Sequence, residues 1–171
     1  MVEIEVKIKL EDLEKTRNAV IKLGARLEKE RCREENTLYD FPSGTLGGKR
    51  YALRLRKVSS KAFLTFKGAP QKSRRFKVRE EFETEVKNEK HLRKILRSLG
   101  LIPVFSYQKF RAVYWKGRLK ICLDETEVGD FLELEGERNE IAKFARSLGF
   151  SRADLIKKDY VELFHEGKKA L

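Results

Sequence analysis

Met1-Val2-Glu3-Ile4-Glu5-Val6-Lys7 opens the chain and runs on into Ile8. Strand side chains alternate with period two, so Glu3, Glu5 and Lys7 share one face while Ile4, Val6 and Ile8 take the other. Two neighbouring carboxylates repel. Lys7 offsets this in part, and a divalent cation would offset it better. Such a face is costly in a core and unnecessary on a surface. It reads as the wall of a wet, charged, metal-binding cavity.

Working outward, the same alternation recurs. Arg54 and Arg56 oppose Leu53 and Leu55, and Thr65 and Lys67 oppose Leu64 and Phe66. Lys77, Arg79, Glu81, Glu83 and Glu85 oppose Phe76, Val78 and Phe82. Lys109 and Arg111 share a face. Arg118, Lys120 and Asp124 oppose Leu119, Ile121 and Leu123, and Glu133 and Glu135 oppose Leu132 and Leu134. Strands are expected over Val2–Lys9, Arg26–Tyr39, Tyr51–Val58, Ala62–Lys67, Phe76–Val86, Phe105–Trp115, Arg118–Glu125 and Asp130–Glu137. Helical periodicity marks Glu11–Leu23, Asn88–Leu99 and Asn139–Leu148, each followed by a glycine, and Asp159–Glu166 near the end of the sequence. Arg97-Ser98-Leu99-Gly100 recurs as Arg146-Ser147-Leu148-Gly149, which a shared helix ending explains. Pro42–Lys49, with three glycines, reads as a loop.

Long neighbouring strands with short links argue for an antiparallel sheet flanked by helices. Two architectures fit. An open sheet with one solvated face would explain any single strand. A sheet closed into a barrel would point every charged face inward, with the helices covering its apolar outside. The polar faces carry few Thr, Ser or Gln, the usual residents of a solvated sheet. They hold clustered carboxylates near both ends of the sequence and clustered bases between.

The 171 residues suit one domain with a sizeable core. No stretch is apolar enough to span a membrane and no signal-peptide pattern is present, so a cytoplasmic protein with no membrane partner is expected. Lys and Arg number 39 against 27 Asp and Glu, a net charge of +12, which favours an anionic partner. A charged fraction of 39% with few Cys and Met also fits a thermophile surface. Cys32 and Cys122 form no CxxC pair, which argues against zinc or a redox dithiol. His91 and His165 sit in helix-like segments without a nucleophile partner, which argues against Ser-His-Asp or Cys-His chemistry. An enzyme of this composition works with carboxylates, lysines, arginines and a metal. Carboxylate oxygens suit a hard cation such as Mg²⁺ or Mn²⁺, and Arg and Lys neutralise phosphate oxygens. Acid and base in one cavity point to a polyphosphate held between metal and cationic side chains.

Glu3-x-Glu5-x-Lys7 is followed by Leu53-Arg54-Leu55-Arg56, Leu64-Thr65-Phe66-Lys67-Gly68, Arg79-Glu80-Glu81-Phe82-Glu83, Lys109-Phe110-Arg111, Leu123-Asp124 and Gly129-Asp130-Phe131-Leu132-Glu133-Leu134-Glu135-Gly136. In order and spacing, over nearly the whole chain, this resembles the CYTH superfamily, or triphosphate tunnel metalloenzymes. The similarity is closest to class IV adenylyl cyclases and thiamine-triphosphatase-like proteins. The resemblance implies an α+β fold, a closed antiparallel β-barrel of about eight strands with flanking helices, as a single domain over residues 1–171. It implies metal ligation by Glu3, Glu5, Glu133 and Glu135 with Asp124 helping, and Mg²⁺ or Mn²⁺ as the cofactor. It implies triphosphate contacts from Lys7, Arg54, Arg56, Lys67, Lys109 and Arg111, with Arg79 and Glu81 as secondary lumen residues. Lys7, Lys67 and Asp124 are the expected catalytic residues. The family commonly has Gln-x-Asp-x-Tyr before the first arginine strand. Here the stretch is Glu35-Asn36-Thr37-Leu38-Tyr39, where only the tyrosine matches, so the resemblance carries no substrate-orienting residue over to that end.

The implied reaction is metal-assisted conversion of ATP to cyclic AMP and pyrophosphate. The alternative is hydrolysis of thiamine triphosphate, a nucleoside triphosphate or tripolyphosphate. A non-catalytic polyphosphate binder would tolerate loss of the carboxylates, yet both glutamate pairs are present. Lys72, Arg74 and Arg75 lie in one loop that solvation explains, so no stable nucleic-acid partner is expected. Phe105, Tyr107, Phe110, Tyr114 and Trp115 are read as core and cover. The expected state is monomer or homodimer.

Overall fold

The computed structural model describes residues 2–167. Eight strands form, β1 (Val2–Leu10), β2 (Arg26–Asp40), β3 (Ala52–Val58), β4 (Lys61–Lys67), β5 (Lys77–Val86), β6 (Ile102–Lys116), β7 (Leu119–Thr126) and β8 (Gly129–Glu135). They close into an antiparallel barrel in the order β1-β5-β4-β3-β2-β6-β7-β8. Helices α1 (Leu13–Lys22), α2 (Thr45–Gly48), α3 (Glu89–Ser98), α4 (Arg138–Ser147) and α5 (Tyr160–Gly167) flank it. Closure decides between the two architectures left open above: the sheet has no edge and its two faces become an inside and an outside.

Local chemistry sets the element ends. Asp12 and Asn88 cap α1 and α3, each accepting from a backbone N–H three residues on, at 2.8 and 2.9 Å. β8 stops at Glu135, two residues short of the expected end, because Gly136 turns at φ 153°. A Cβ there would lie 3.4 Å from the Leu119 side chain. β6 starts at Ile102, ahead of the expected Phe105, despite Pro103 in its first residues. The expected glycine-rich loop contains the short α2, and a 3-10 turn at Arg152–Asp154, closed by a Ser151–Asp154 capping box, was not foreseen.

Contacts group the chain into two compact units. One comprises mainly residues 33–71 and 79–108, the other residues 3–32, 72–78 and Lys109 onward. In the first, Leu55 and Ala62 pack with Leu96 of α3, Leu101 and Tyr39. In the second, Val6, Ile8, Ile121, Leu123, Leu132 and Leu134 pack with Val20 of α1 and Ile141 and Phe144 of α4. Each buried Val, Leu, Ile or Phe among them contributes about 1.5–3 kcal/mol relative to exposure. The apolar strand faces therefore look outward to the helices, and the charged faces look inward.

Asp40 ends β2 and organises the loop that follows. Its carboxylate accepts from the backbone N–H groups of Phe41, Leu46 and Gly47 at 2.6, 2.8 and 2.9 Å. Burial pushes this carboxyl up, but the three amides more than offset it and hold it below the usual carboxylate range. A depressed pKa stabilises the fold above the ordinary carboxylate range, and the contribution is lost as pH falls through the native value. Asp40→Ala is expected to cost about 1–3 kcal/mol near pH 7, and the gap to the parent protein should close in acid. Urea unfolding at a series of pH values checks both. A gap unchanged from pH 7 to below pH 3 would rule out this anchoring role.

Candidate active site: two charged clusters on the barrel wall

In the second unit, β1 and β8 pair so that Glu5 faces Glu135 and Lys7 faces Glu133. Lys7 Nζ lies 3.3 Å from Glu5 Oε1 and 3.0 Å from Glu133 Oε2. Arg111 Nη2 reaches Glu133 Oε1 at 2.8 Å, and its guanidinium forks both oxygens of Asp124. Lys109 Nζ donates to Asp124 Oδ2 at 3.0 Å. Lys120 pairs with Glu135 at 2.9 Å. Glu3 is half-buried, two residues before Glu5 on the same face. Lys7, Lys109 and Arg111 thus stand against Glu5, Asp124 and Glu133, and all six are buried.

Mutual attraction keeps Lys7, Arg111 and Asp124 ionised. Burial disfavours the charge on Lys7, but Glu133 and Glu5 outweigh it and raise its pKa. Arg111 is likewise raised against burial by Asp124 and Glu133. Burial pushes Asp124 up, while Arg111 and Lys109 hold it below the ordinary range. Burial pushes the Cys122 thiol up to about 12, so it is a neutral filler and not a nucleophile.

Tyr160 is the member that sequence reading missed. Its hydroxyl donates to Asp124 Oδ2, and its ring lies 5.0 Å from Lys7 Nζ and 4.4 Å from Lys109 Nζ. It arrives on a strap. Ile156 exchanges backbone hydrogen bonds with Lys7 at 2.9 and 2.7 Å, Lys157 donates to Ser73 O at 3.1 Å, and buried Lys77 pairs with Asp159 at 2.8 Å. In the sequence Tyr160 is one apolar position among several in a terminal helix. Nothing local marks it for this cluster.

In the first unit, Arg54 and Arg56 of β3 point to the same side as Thr65 of β4 and Glu83 of β5, through the registers Arg54↔Thr65 and Thr65↔Glu83. Arg56 Nη2 meets Glu83 Oε1 at 2.8 Å, and Nη1 lies 3.6 Å from Glu34 Oε1. Thr65 donates to Glu83 Oε2 at 2.6 Å, and Arg54 Nη2 donates to Thr65 Oγ1 at 3.4 Å. Lys67 pairs with Glu81 at 2.5 Å. Arg79 is buried, and its Nε has no hydrogen-bond partner. Glu34 and Asn36 of β2 are buried here too and were not foreseen. Both faces of β2 are polar in sequence, so alternation could not say which looks inward. By alternation Phe105 and Tyr107 share the face of β6 that carries Lys109 and Arg111, with Tyr107 buried and Phe105 half-buried, while Tyr114 joins the apolar cluster.

The donor set fits a hard cation. Glu5 stands directly across from Glu135, with Glu133 at the neighbouring inward position, all carboxylate oxygens. Among the described residues, however, no three such groups meet at a metal-sized site. Lys7, Lys120 and Arg111 engage these carboxylates instead, so ligation requires an exchange of partners.

The sequence profile of the CYTH domain matches residues 1–160. The chain belongs to the CYTH family. A relative from Methanocaldococcus jannaschii, provisionally named an adenylate cyclase, is 30% identical over 174 residues, covering 95% of this CYTH chain and 98% of its own. A solved structure from Vibrio parahaemolyticus, provisionally described as an adenylate cyclase, superposes with a TM-score of 0.86 at 21% identity over 96% of this chain and 98% of that one. A Hippeastrum protein, described as an adenylyl cyclase candidate with a dominant triphosphatase activity, superposes at 0.69 with 22% identity over 96% of each chain. These two structures establish that the CYTH barrel is shared. No helix among the described residues is long and apolar enough to cross a membrane.

Proposed function

We propose that this protein is a divalent-cation-dependent enzyme acting on a triphosphate held against the inner face of the barrel, with ATP converted to cyclic AMP and pyrophosphate as the leading reaction. The observation that carries this reading is the buried cluster of Lys7, Lys109 and Arg111 against Glu5, Asp124 and Glu133. Buried ion pairs seldom stabilise a fold more than apolar side chains would. A cluster whose members can change partners has a use beyond folding. The cations turn to phosphate oxygens and the carboxylates to a metal, so no charge is left uncompensated.

In that exchange Lys7, Lys109 and Arg111 bind the phosphate chain, the arginine as a planar fork. Within the first unit, Arg54, Arg56, Lys67 and Arg79 offer phosphate contacts of their own. Glu3, Glu5, Glu133 and Glu135 hold the cation, which when bound neutralises phosphate charge and polarises phosphorus. Lys7 stabilises charge that grows on the departing pyrophosphate. Asp124, with its oxygens taken by Arg111, Lys109 and Tyr160, orients the two cations Arg111 and Lys109. For cyclisation the ribose 3′ oxygen bonds to the α-phosphorus and gives up its proton to solvent as the bond to pyrophosphate breaks.

Hydrolysis is the second reading, and the Hippeastrum protein of the same fold favours it. Incubation with ATP and Mg²⁺ or Mn²⁺, followed by product identification, separates the two. Pyrophosphate with cyclic AMP is expected. ADP with phosphate would replace the cyclase by a hydrolase. No turnover of ATP would move the test to thiamine triphosphate and tripolyphosphate.

A further inference from the structure

Asn36 is 1% exposed, yet neither its Oδ1 nor its Nδ2 has a hydrogen-bond partner. A buried primary amide lacking both partners is rare, because each orphaned atom forfeits its hydration without return. Its register partner is Arg56, and Glu34 lies two residues away on the same face of β2. Neither a phosphate nor a guanidinium would complete it. A phosphate only accepts and would leave Oδ1 orphaned; a guanidinium only donates and would leave Nδ2 orphaned. The unmet need is for a donor and an acceptor side by side.

The same unit supplies a flat apolar surface. β2 and β6 are neighbours in the barrel, and the Ser106 hydroxyl lies 3.4 Å from that of Thr37. Antiparallel pairing at that point sets Asn36 beside Tyr107. Phe105 and Tyr107 have ring centroids 5.9 Å apart with planes at 37°. Both rings lie on the face of β6 that also carries Lys109 and Arg111. They are suited to stack on a planar ring.

The geometry points to Asn36 as a specificity-determining residue that reads an amidine edge, an exocyclic amine beside a ring nitrogen, on a heterocycle stacked against Tyr107 and Phe105. The amide oxygen accepts from the amine and the amide nitrogen donates to the ring nitrogen, the pairing by which Asn and Gln read adenine. This rests on the triphosphate reading above and narrows it: the substrate carries a heterocycle, either adenine or an aminopyrimidine such as that of thiamine. Inorganic tripolyphosphate and 6-oxopurine nucleotides fit less well.

Two substrate pairs isolate the edge, since each differs by one amino-to-oxo change: ATP against ITP, and thiamine triphosphate against oxythiamine triphosphate. Calorimetric titration of the full chain with all four, and with tripolyphosphate, gives the ratio within each pair. We expect one amino compound to bind at least about tenfold tighter than its oxo partner, and the ratio to fall within about twofold in Asn36→Ala. Which pair responds identifies the heterocycle. Asn36→Asp keeps the size of the side chain and removes its donor, and should also lower the ratio, which secures the test should the alanine variant fail to fold. A ratio near one in both pairs of the parent protein, or a ratio that survives both substitutions, overturns the proposal. If tripolyphosphate binds and no pair discriminates, this inference alone falls. If no triphosphate binds at all, the function proposed above falls with it.

Discussion

Asp124→Ala is expected to lower the free energy of unfolding by about 3–5 kcal/mol, a large share of the ~5–15 kcal/mol that domains possess. Asp124 is fully buried and receives donors from Arg111, Lys109 and Tyr160. Removing it leaves Arg111 and Lys109 buried with one fewer counter-charge, and Tyr160 loses the acceptor of its hydroxyl. Urea unfolding near neutral pH measures the loss. Because the Asp124 pKa is held below the ordinary range, its contribution is present above that range and fades as pH falls through the native value. The gap to the parent protein should therefore shrink in acid. Millimolar tripolyphosphate should stabilise the variant more than the parent protein, since a bound anion replaces the missing carboxylate and ligation stabilises by mass action. A variant within about 1 kcal/mol of the parent protein would show that the ion cluster is not held together through Asp124.

Glu135→Gln is expected to lower metal-dependent turnover at least about 100-fold while sparing tripolyphosphate binding in the presence of a chelator. The substitution preserves shape and removes one negative charge. Glu135 stands across from Glu5 and pairs with Lys120, so its loss takes a ligand from the cation and frees a lysine. Cation binding should weaken, and binding of the bare phosphate chain should hold or improve. Direct titration with Mn²⁺ and steady-state turnover read the two effects separately. Unchanged turnover would remove Glu135 from the metal site. Equal loss of both bindings would make its role structural.

The elements themselves were largely legible, for a physical reason. β1, β3, β4, β7 and β8 each bury one face against helices, so apolar residues must recur with period two, and every glycine-ended helix is stopped by local backbone geometry. Glu5, Lys7, Arg54, Arg56, Lys109, Arg111 and Glu133 could be placed on inward faces for the same reason. β2 was opaque: with Glu34 and Asn36 on one face and Glu35 and Thr37 on the other, polarity does not alternate and the inward side cannot be chosen. Alternation alone puts Phe105 and Tyr107 on the face of Lys109 and Arg111, but only barrel closure turns that face inward.

By itself the sequence determined which residues alternate, where strands and helices end, and that acids and bases would be gathered on the same strand faces, because these follow from side-chain period and backbone conformation over a few neighbours. Only the tertiary structure decided that Tyr160 returns from the far end of the chain to cap Asp124, that Arg111 joins Asp124 to Glu133, and that the Asn36 amide is buried without a partner. Those facts depend on which distant segments meet when the barrel closes, and no local pattern encodes that meeting.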